Sequence, residues 1–388
     1  MIKKISIDGL LSFDKFELEL RNLNVLIGPN GSGKSNLIHL LGLLRVLPDN
    51  PAELISRGGG IREWLRKPPA GETGTLKTET VFEGLTVHHE IALAEEQGRL
   101  RIPYERFVPM QTNRPDTEFT AYEVQNGEGT YAAEGNGVLA LPQKPLLLKD
   151  RRRSALTEVR WLGHPLRSLS LFGELLEGIR LYLNIGFGTG LPAREWQPAD
   201  QPVDFLEEDI TNLALVLQNT FINSSAEKSL NEEFSLFFER FRRFGVSIFG
   251  NQVLLNMHEK DLTEPVPATR WSDGMVRYLC LLTILCHPEP PPLICIDEPE
   301  LGFHPDILPN LARLIKSCAE RTQVIITTHS AELVDQFSDD PEAVVVCERD
   351  FDGATRMERL PAKRLEKWLT DYTLGDLWRR GEIGGNPS

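Results

Sequence analysis

No stretch of this chain approaches the roughly 18 consecutive apolar residues that a membrane-spanning helix needs, and its start, Met1-Ile2-Lys3-Lys4-Ile5-Ser6-Ile7, alternates instead of forming a leader-like run. Neither secretion nor membrane insertion is expected, which points to a cytoplasmic setting without a membrane partner. Cysteine is scarce: Cys280, Cys286, Cys295, Cys318 and Cys347 form no CxxC pair, and most sit in apolar stretches. This leaves no pattern for structural zinc and suits a reducing compartment. Positive charge is short as well, with 42 Lys and Arg against 56 Asp and Glu and a formal net charge of -14. The whole molecule therefore repels a phosphate backbone, which argues against a DNA-coating protein; any nucleic-acid contact has to come from a local patch. Arg151-Arg152-Arg153 and Arg240, Arg242 and Arg243 are the concentrated positive segments, and each reads first as a solvated face. Internal repeats are missing, and no heptad run is long enough for an extended coiled-coil arm.

The 388 residues, 41% of them hydrophobic, suffice for one large or two ordinary domains. Two strands at 5–10 and 16–20 lead into the apolar run Leu23-Asn24-Val25-Leu26-Ile27, followed by a leucine-rich helix over 35–46 that Pro48 stops. Short alternating segments from 78 to 140 predict an antiparallel sheet. Residues 150–245 turn toward helix, where Phe234, Phe237, Phe238, Phe241 and Phe244 recur at helical spacing and predict one aromatic, core-packed face. From 270 onward the pattern is α/β. Apolar runs at 293–297 and 323–328, with a helix over 306–318 between them, are what buried parallel strands require. The expected division is a first lobe over 1–150, a helical insertion over 151–260 and a second lobe over 261–388.

Directly after the first apolar run stands Gly28-Pro29-Asn30-Gly31-Ser32-Gly33-Lys34-Ser35, the pattern GxxxxGKS in strand-loop-helix context. Its glycines let backbone N–H groups turn inward toward a polyphosphate, and the helix that follows adds its positive end. Lys34 would reach the β- and γ-phosphates, and the Ser35 hydroxyl would ligate Mg²⁺. Such a loop alone supports only nucleotide binding. Hydrolysis also needs a carboxylate on the metal and a group that positions water, and Asp297-Glu298 at the end of an apolar strand supplies both. His329, at the end of the next apolar run, is placed to contact the γ-phosphate and the water. Arg270-Trp271-Ser272-Asp273-Gly274 opens a further apolar helix over 276–285, and its Ser hydroxyl and helix N-terminus make a second anion site. Two anion sites and one nucleotide predict two subunits sharing each ATP.

With these motifs in order, the chain resembles the ABC-type ATPase superfamily, within its RecF/SMC/OLD-like branch. The resemblance rests on GPNGSGKS at 28–35, SDGM at 272–275, IDEPE at 296–300 with its LGFHP continuation, and TTHS at 327–330. The segment 205–214 and the ending from Leu374-Gly375-Asp376-Leu377-Trp378 to Gly384-Gly385 look like a group of bacterial "predicted ATPases" of similar length that carry no TOPRIM domain. What this implies is an α/β P-loop NTPase of ABC type, with a mixed parallel core, an antiparallel β subdomain and a helical insertion. It also implies ATP and Mg²⁺ as cofactors and a head-to-tail homodimer closing on two ATP molecules. By the same resemblance Gly28, Pro29, Asn30, Gly31, Ser32, Gly33, Lys34, Ser35 and Asn36 hold the nucleotide, joined by Ser272 and Gly274 of the second copy. Ser35, Asp297 and Glu158 hold the metal, and Glu298, His329 and Lys34 are catalytic.

Three positions depart from the superfamily pattern. Asp273 puts a negative charge where transporters carry glycine, Leu11 stands where relatives often carry a cation, and Glu158 in Ser154-Ala155-Leu156-Thr157-Glu158 occupies the place of a metal-sensing glutamine. The expected role is an ATP-switched dimer in DNA repair and maintenance or anti-phage defence, controlling a separately encoded effector such as a nuclease. Energising a transporter is the alternative from another class, and the long stretch between Asn36 and Asp297 disfavours it. An ATPase subunit of a nuclease complex stays open, as does nucleic-acid binding. The residues after His329 are too few for a nuclease domain of the chain's own.

Overall fold

The structure, a computed structural model, describes residues 1–67, 72–132, 143–161, 166–188, 190–222 and 224–384. Residues 133–140 of the expected antiparallel region, and Gly385, lie outside the described residues. The chain forms two compact units, one of 1–179, 342–363 and 378–388, the other of 180–341 and 364–377. These limits differ from the expected 1–150, 151–260 and 261–388. One cause is the strand at Val344–Arg349, which pairs in parallel with Leu23–Ile27 and so returns the chain to the first unit.

In chain order the first unit begins with β1 (Ile2–Asp8), β2 (Phe16–Glu19), β3 (Leu23–Ile27), α1 (Lys34–Val46), β4 (Thr73–Phe82), β5 (Leu85–Glu96), β6 (Arg99–Gln111), β7 (Tyr122–Gln125), β8 (Glu128–Ala132) and β9 (Gln143–Leu147). All but β3 join one antiparallel sheet in the order β2-β1-β4-β5-β6-β7-β8-β9. Alternation explains it: Ile5 and Ile7 of β1 and Phe16 and Leu18 of β2 are buried while the polar residues between and after them are more exposed, which is the pattern of a sheet with one covered face. β3 is different, with all five residues buried, as a central parallel strand demands. A short helix α2 (Ala155–Val159) completes the segment, capped by the Ser154 hydroxyl, which accepts from the Leu156 amide.

The second unit contains α3 (Glu227–Phe237), β10 (Phe241–Phe249), β11 (Gln252–Glu259), α4 (Asp273–Leu285), β12 (Leu293–Asp297), α5 (Leu308–Ala319) and β13 (Gln323–Thr327). Strands β12 and β13 run parallel in the register Leu293↔Gln323 to Asp297↔Thr327, linked by α5. Leu293, Ile294, Ile296, Val324, Ile325 and Ile326 are all buried, and each such side chain contributes about 1.5–3 kcal/mol on burial. The acids that follow Ile296 are therefore mounted on a rigid strand end. Back in the first unit, β14 (Val344–Arg349) lies parallel to β3 and antiparallel to β15 (Thr355–Arg359), a strand the sequence reading missed.

The five phenylalanines do not form one helical face. Helix α3 ends at Phe237, Phe238 is extended, and Phe241 already belongs to β10. A register shift between Phe241 and Arg243 turns Phe241 and Phe244 to the same side of the strand, so their spacing of three imitates a helix. Three of the five are buried as expected, the Phe234 ring centroid lying 4.7 Å from that of Phe241 and 4.8 Å from that of Phe244, while Phe237 and Phe238 are half-buried.

Candidate functional site

In the first unit the loop from Gly28 to Gly33 joins β3 to α1. Its glycines at 28, 31 and 33 have φ of 143°, 76° and 106°, a backbone region that side-chain-bearing residues rarely adopt. Space adds to this requirement at two of the three. A Cβ on Gly28 would stand 2.1 Å from the Cys347 carbonyl oxygen, and one on Gly33 would stand 2.0 Å from the Thr355 hydroxyl, while Gly31 has open space. Strands β14 and β15 thus form the floor under the loop. Thr355 donates to the Ser32 carbonyl at 3.0 Å and contacts the Ser12 hydroxyl at 2.6 Å; Asn36 donates to that same hydroxyl at 2.7 Å. Asn36 thereby braces the loop from α1.

Lys34 is buried, with its ammonium donating to the carbonyls of Gly28 (2.7 Å) and Pro29 (3.2 Å), so the side chain folds back over the loop. Ser32 is buried too, and its hydroxyl oxygen has no hydrogen-bond partner among the described residues. An orphaned hydroxyl in a glycine-rich turn at a helix N-terminus is a donor set that fits a phosphate. Ser35 and Asn30 are exposed, and Pro29 is half-buried. Leu11 supplies no charge; its amide is bound to the Trp64 carbonyl at 2.7 Å.

Glu158 lies half-buried on α2, whose Thr157 hydroxyl bonds the Leu47 carbonyl beyond the end of α1 at 3.0 Å. The start of this helix is fixed by an acid the sequence reading overlooked. Glu105 on β6, 1% exposed, accepts from the Ala155 amide and the Ser154 hydroxyl, both at 2.6 Å, and from Tyr122 at 2.7 Å, and it pairs with His89 at 3.0 Å. Burial alone would raise the Glu105 carboxyl, but the bonds from His89, Ser154 and Tyr122 outweigh it and hold the group below the usual range.

In the second unit the ends of β12 and β13 are stitched together. The Thr327 hydroxyl donates to the Asp297 carboxylate, and the Glu298 amide bonds both the Thr327 carbonyl (3.1 Å) and its hydroxyl oxygen (3.3 Å). Thr328 and the His329 amide both donate to one oxygen of Glu300, at 2.5 and 3.3 Å. The imidazole Nε2 of His329 then stands 3.8 Å from the Glu298 carboxylate. Glu298 itself has φ of 45°, a left-handed conformation that costs about 1 kcal/mol or more for a residue with a side chain. Burial raises the Glu300 carboxyl above its ordinary 4.5, with the Thr328 bond opposing it.

Ser272 caps α4, accepting from the Met275 amide at 3.2 Å, and is exposed at the start of that helix. Gly274 is less constrained, since a Cβ there would meet Phe237 only at an ordinary 3.6 Å. The charge of Asp273 is compensated: Arg194 donates to it at 2.5 Å and also to the Trp271 carbonyl, while the Gly188 amide adds a bond at 3.0 Å. Five residues into the same unit's α4, Arg277 bonds the Glu298 carbonyl at 2.7 Å. The second unit therefore brings together Asp297, Glu298, His329 and the helix that starts at Ser272. Arg194, Arg277, Glu300 and the two threonines are its unforeseen members. Glu300, Thr327 and Thr328 stood inside the quoted motifs without a role, and Arg277 inside the apolar helix over 276–285, where no local spacing links it to Glu298.

The residues 23–84 and 159–335 match the family described as AAA domain, putative AbiEii toxin, Type IV TA system. Comparison with curated proteins gave no match. Among solved structures the chain is similar to the SmcHead bound to the C-winged helix domain of ScpA, at 14% identity and a TM-score of 0.55, with 94% of this chain and 99% of that one covered. It is also similar to an SMC head domain from Thermotoga maritima, at 17% identity and a TM-score of 0.43 over 93% and 99% of the two chains. A third is an Smc head domain with an extended coiled coil bound to the C-terminal domain of ScpA, derived from Pyrococcus furiosus, at 14% identity and a TM-score of 0.47 over 95% and 98%. The first of these shows the fold, a P-loop head of the ABC type.

Proposed function

The chain belongs to the AAA-domain family described as putative AbiEii toxin, Type IV TA system, and from that premise we propose that it binds and hydrolyses ATP as a head-to-tail dimer switched by the nucleotide. The reading rests above all on Glu298. A carboxylate held in a strained left-handed turn by bonds to both of its peptide groups, with an imidazole 3.8 Å away, is the arrangement expected of a group that must meet one water molecule in one direction.

In this mechanism the loop amides from Gly28 to Gly33 and the Lys34 ammonium bind the β- and γ-phosphates, with Asn36 bracing the loop. Lys34 leaves the carbonyls of Gly28 and Pro29 to do so. Ser35 and Asp297 would hold Mg²⁺, with Glu158 as a third candidate ligand, and the metal would supply charge neutralisation on the phosphate oxygens. Glu298 takes the proton of the attacking water as its oxygen bonds to the γ-phosphorus and the bond to ADP breaks. His329 orients the same water and the γ-phosphate. Ser272 and Gly274 bind the γ-phosphate held by a second copy, so the triphosphate favours the closed pair and its loss releases it.

The family's description favours the defence side of the expected roles, in which the dimer controls a separately encoded effector such as a nuclease. A cytoplasmic setting accords with this; among the described residues no helix is long and apolar enough to cross a membrane. Of the basic segments, Arg152 is paired with Asp150 at 2.8 Å and Arg240 lies 3.5 Å from Glu259 and 3.6 Å from Asp261, while Arg151, Arg153, Arg242 and Arg243 are exposed, so nucleic acid stays an open partner of this reading. Mass photometry of Glu298→Gln tests the proposal. A dimer that appears with ATP and not with ADP supports it, and a monomer under both conditions overturns it.

A further inference from the structure

Two arginines of the second unit are buried: Arg194 has the Asp273 carboxylate, whereas Arg277 has no carboxylate partner among the described residues. Arg277 is 3% exposed, and its guanidinium donates to two backbone oxygens, the carbonyl of Glu298 at 2.7 Å and that of Ile185. It also lies over the Phe187 ring, 5.2 Å from the centroid, and its Nε has no partner among the described residues. Taking such a group out of water without an ion pair is costly. Burial is in keeping with this, lowering its affinity for the proton, with the carboxylates of Glu300, Glu298 and Asp297 among the weaker opposing influences.

Glu298, the acceptor, is the strained residue. Its amide is fixed by Thr327 and its carbonyl by Arg277 and the Leu301 amide, so the direction of its side chain is set by bonds on both sides of its α-carbon. Only the Arg277 bond comes from α4, the helix whose first turn is capped by Ser272. That helix is 13 residues of continuous hydrogen-bonded backbone, and from Val276 to Leu285 every one of its residues is buried. A shift of the Ser272 turn is therefore carried along it to the guanidinium.

We propose that Arg277 is a positioning residue that ties the Ser272-capped helix to the peptide of Glu298, so that the catalytic carboxylate takes its working direction from the turn that faces the second subunit. This rests on the roles given above to Glu298 and Ser272. Arginine suits the task because its planar fork reaches two carbonyls at once, which one ammonium cannot do in the same geometry.

The test compares Arg277→Lys and Arg277→Gln with wild type in steady-state ATPase assays and, for Arg277→Lys, adds single-turnover rates with and without Glu298→Gln. The expected result is a fall in kcat of about tenfold or more for both variants, with KM for ATP within about twofold. In the Glu298→Gln background Arg277→Lys should cause no further loss, because its effect passes through the missing carboxylate. ATP-dependent dimerisation of the double variant, read by mass photometry, should match that of Glu298→Gln. An unchanged kcat, a KM that rises with the loss, or an equal further loss in the Glu298→Gln background overturns the proposal. Full turnover by Glu298→Gln alone overturns the reading of Glu298 and the coupling with it. An inactive Glu298→Gln beside a fully active Arg277→Lys overturns the coupling only.

Discussion

Arg194 carries its guanidinium to the carboxylate of Asp273 at 2.5 Å, one residue beyond the exposed Ser272. Asp273 looks out of place in a loop proposed to face phosphates, and this pairing removes the conflict. The arginine side chain is 6% exposed and the aspartate 39%, so the pair is only partly screened by solvent.

Arg194→Ala should therefore have two effects. Stability should fall by about 1–3 kcal/mol, less than for a fully buried pair, because the Trp271 carbonyl and the half-exposed Asp273 both lose a donor. Dimerisation of Glu298→Gln with ATP should also weaken, since an uncompensated carboxylate would repel the γ-phosphate. Chemical denaturation and mass photometry check the two separately, and an unchanged denaturation midpoint contradicts the first.

The phosphate loop should discriminate sharply between its glycines. Gly33→Ala combines a positive φ with a methyl group 2.0 Å from the Thr355 hydroxyl, whereas Gly31→Ala meets only the conformational cost of about 1–2 kcal/mol. Binding of a fluorescent ATP analogue should be lost in Gly33→Ala and reduced but measurable in Gly31→Ala. Equal affinities for the two variants would contradict this account of the loop.

Much of this was legible in the sequence because local pattern and global fold agreed there. β3, β12 and β13 are announced by apolar runs, α1 by its recurring leucines, and the loop at 28–35 by glycines that the backbone needs. What stayed hidden depends on partners far apart in sequence. Thr355 lies 323 residues from the Ser32 carbonyl it binds, and Glu105 lies 50 residues from the Ala155 amide. Glu105 sits on a strand of alternating residues where an acid reads as solvent-facing, yet four groups converge on it. The false helical face of Phe241 and Phe244 had a different cause: a bulge changed the strand's period from two to three.

Glu300 gives a pH signature. Its carboxyl is raised in the folded protein, mainly by burial, so folding favours the protonated form. The associated stability is present below the ordinary value of 4.5 and is lost as pH rises through the raised folded value. Glu300→Gln, neutral at every pH, should melt above wild type near neutrality, and the gap should close as the pH falls toward 4.5. Because Gln keeps an acceptor for Thr328, its turnover should stay within about threefold of wild type, while Glu300→Ala loses about tenfold by releasing Thr328 and the His329 amide. A gap that widens on acidification contradicts the assignment.

The claim on which the rest depends is that each ATP is completed by two copies of the chain, and mixing two inactive variants tests it most directly. Lys34→Ala loses the phosphate loop but keeps the Ser272 turn; Ser272→Arg does the reverse. If sites are shared head to tail, an equimolar mixture forms dimers with one intact site, and ATPase activity returns to about a quarter of the wild-type level, since about half of random pairs are mixed and each has one working site. If the mixture stays as inactive as its parts, or if Ser272→Arg alone hydrolyses ATP at the wild-type rate, the shared site is wrong.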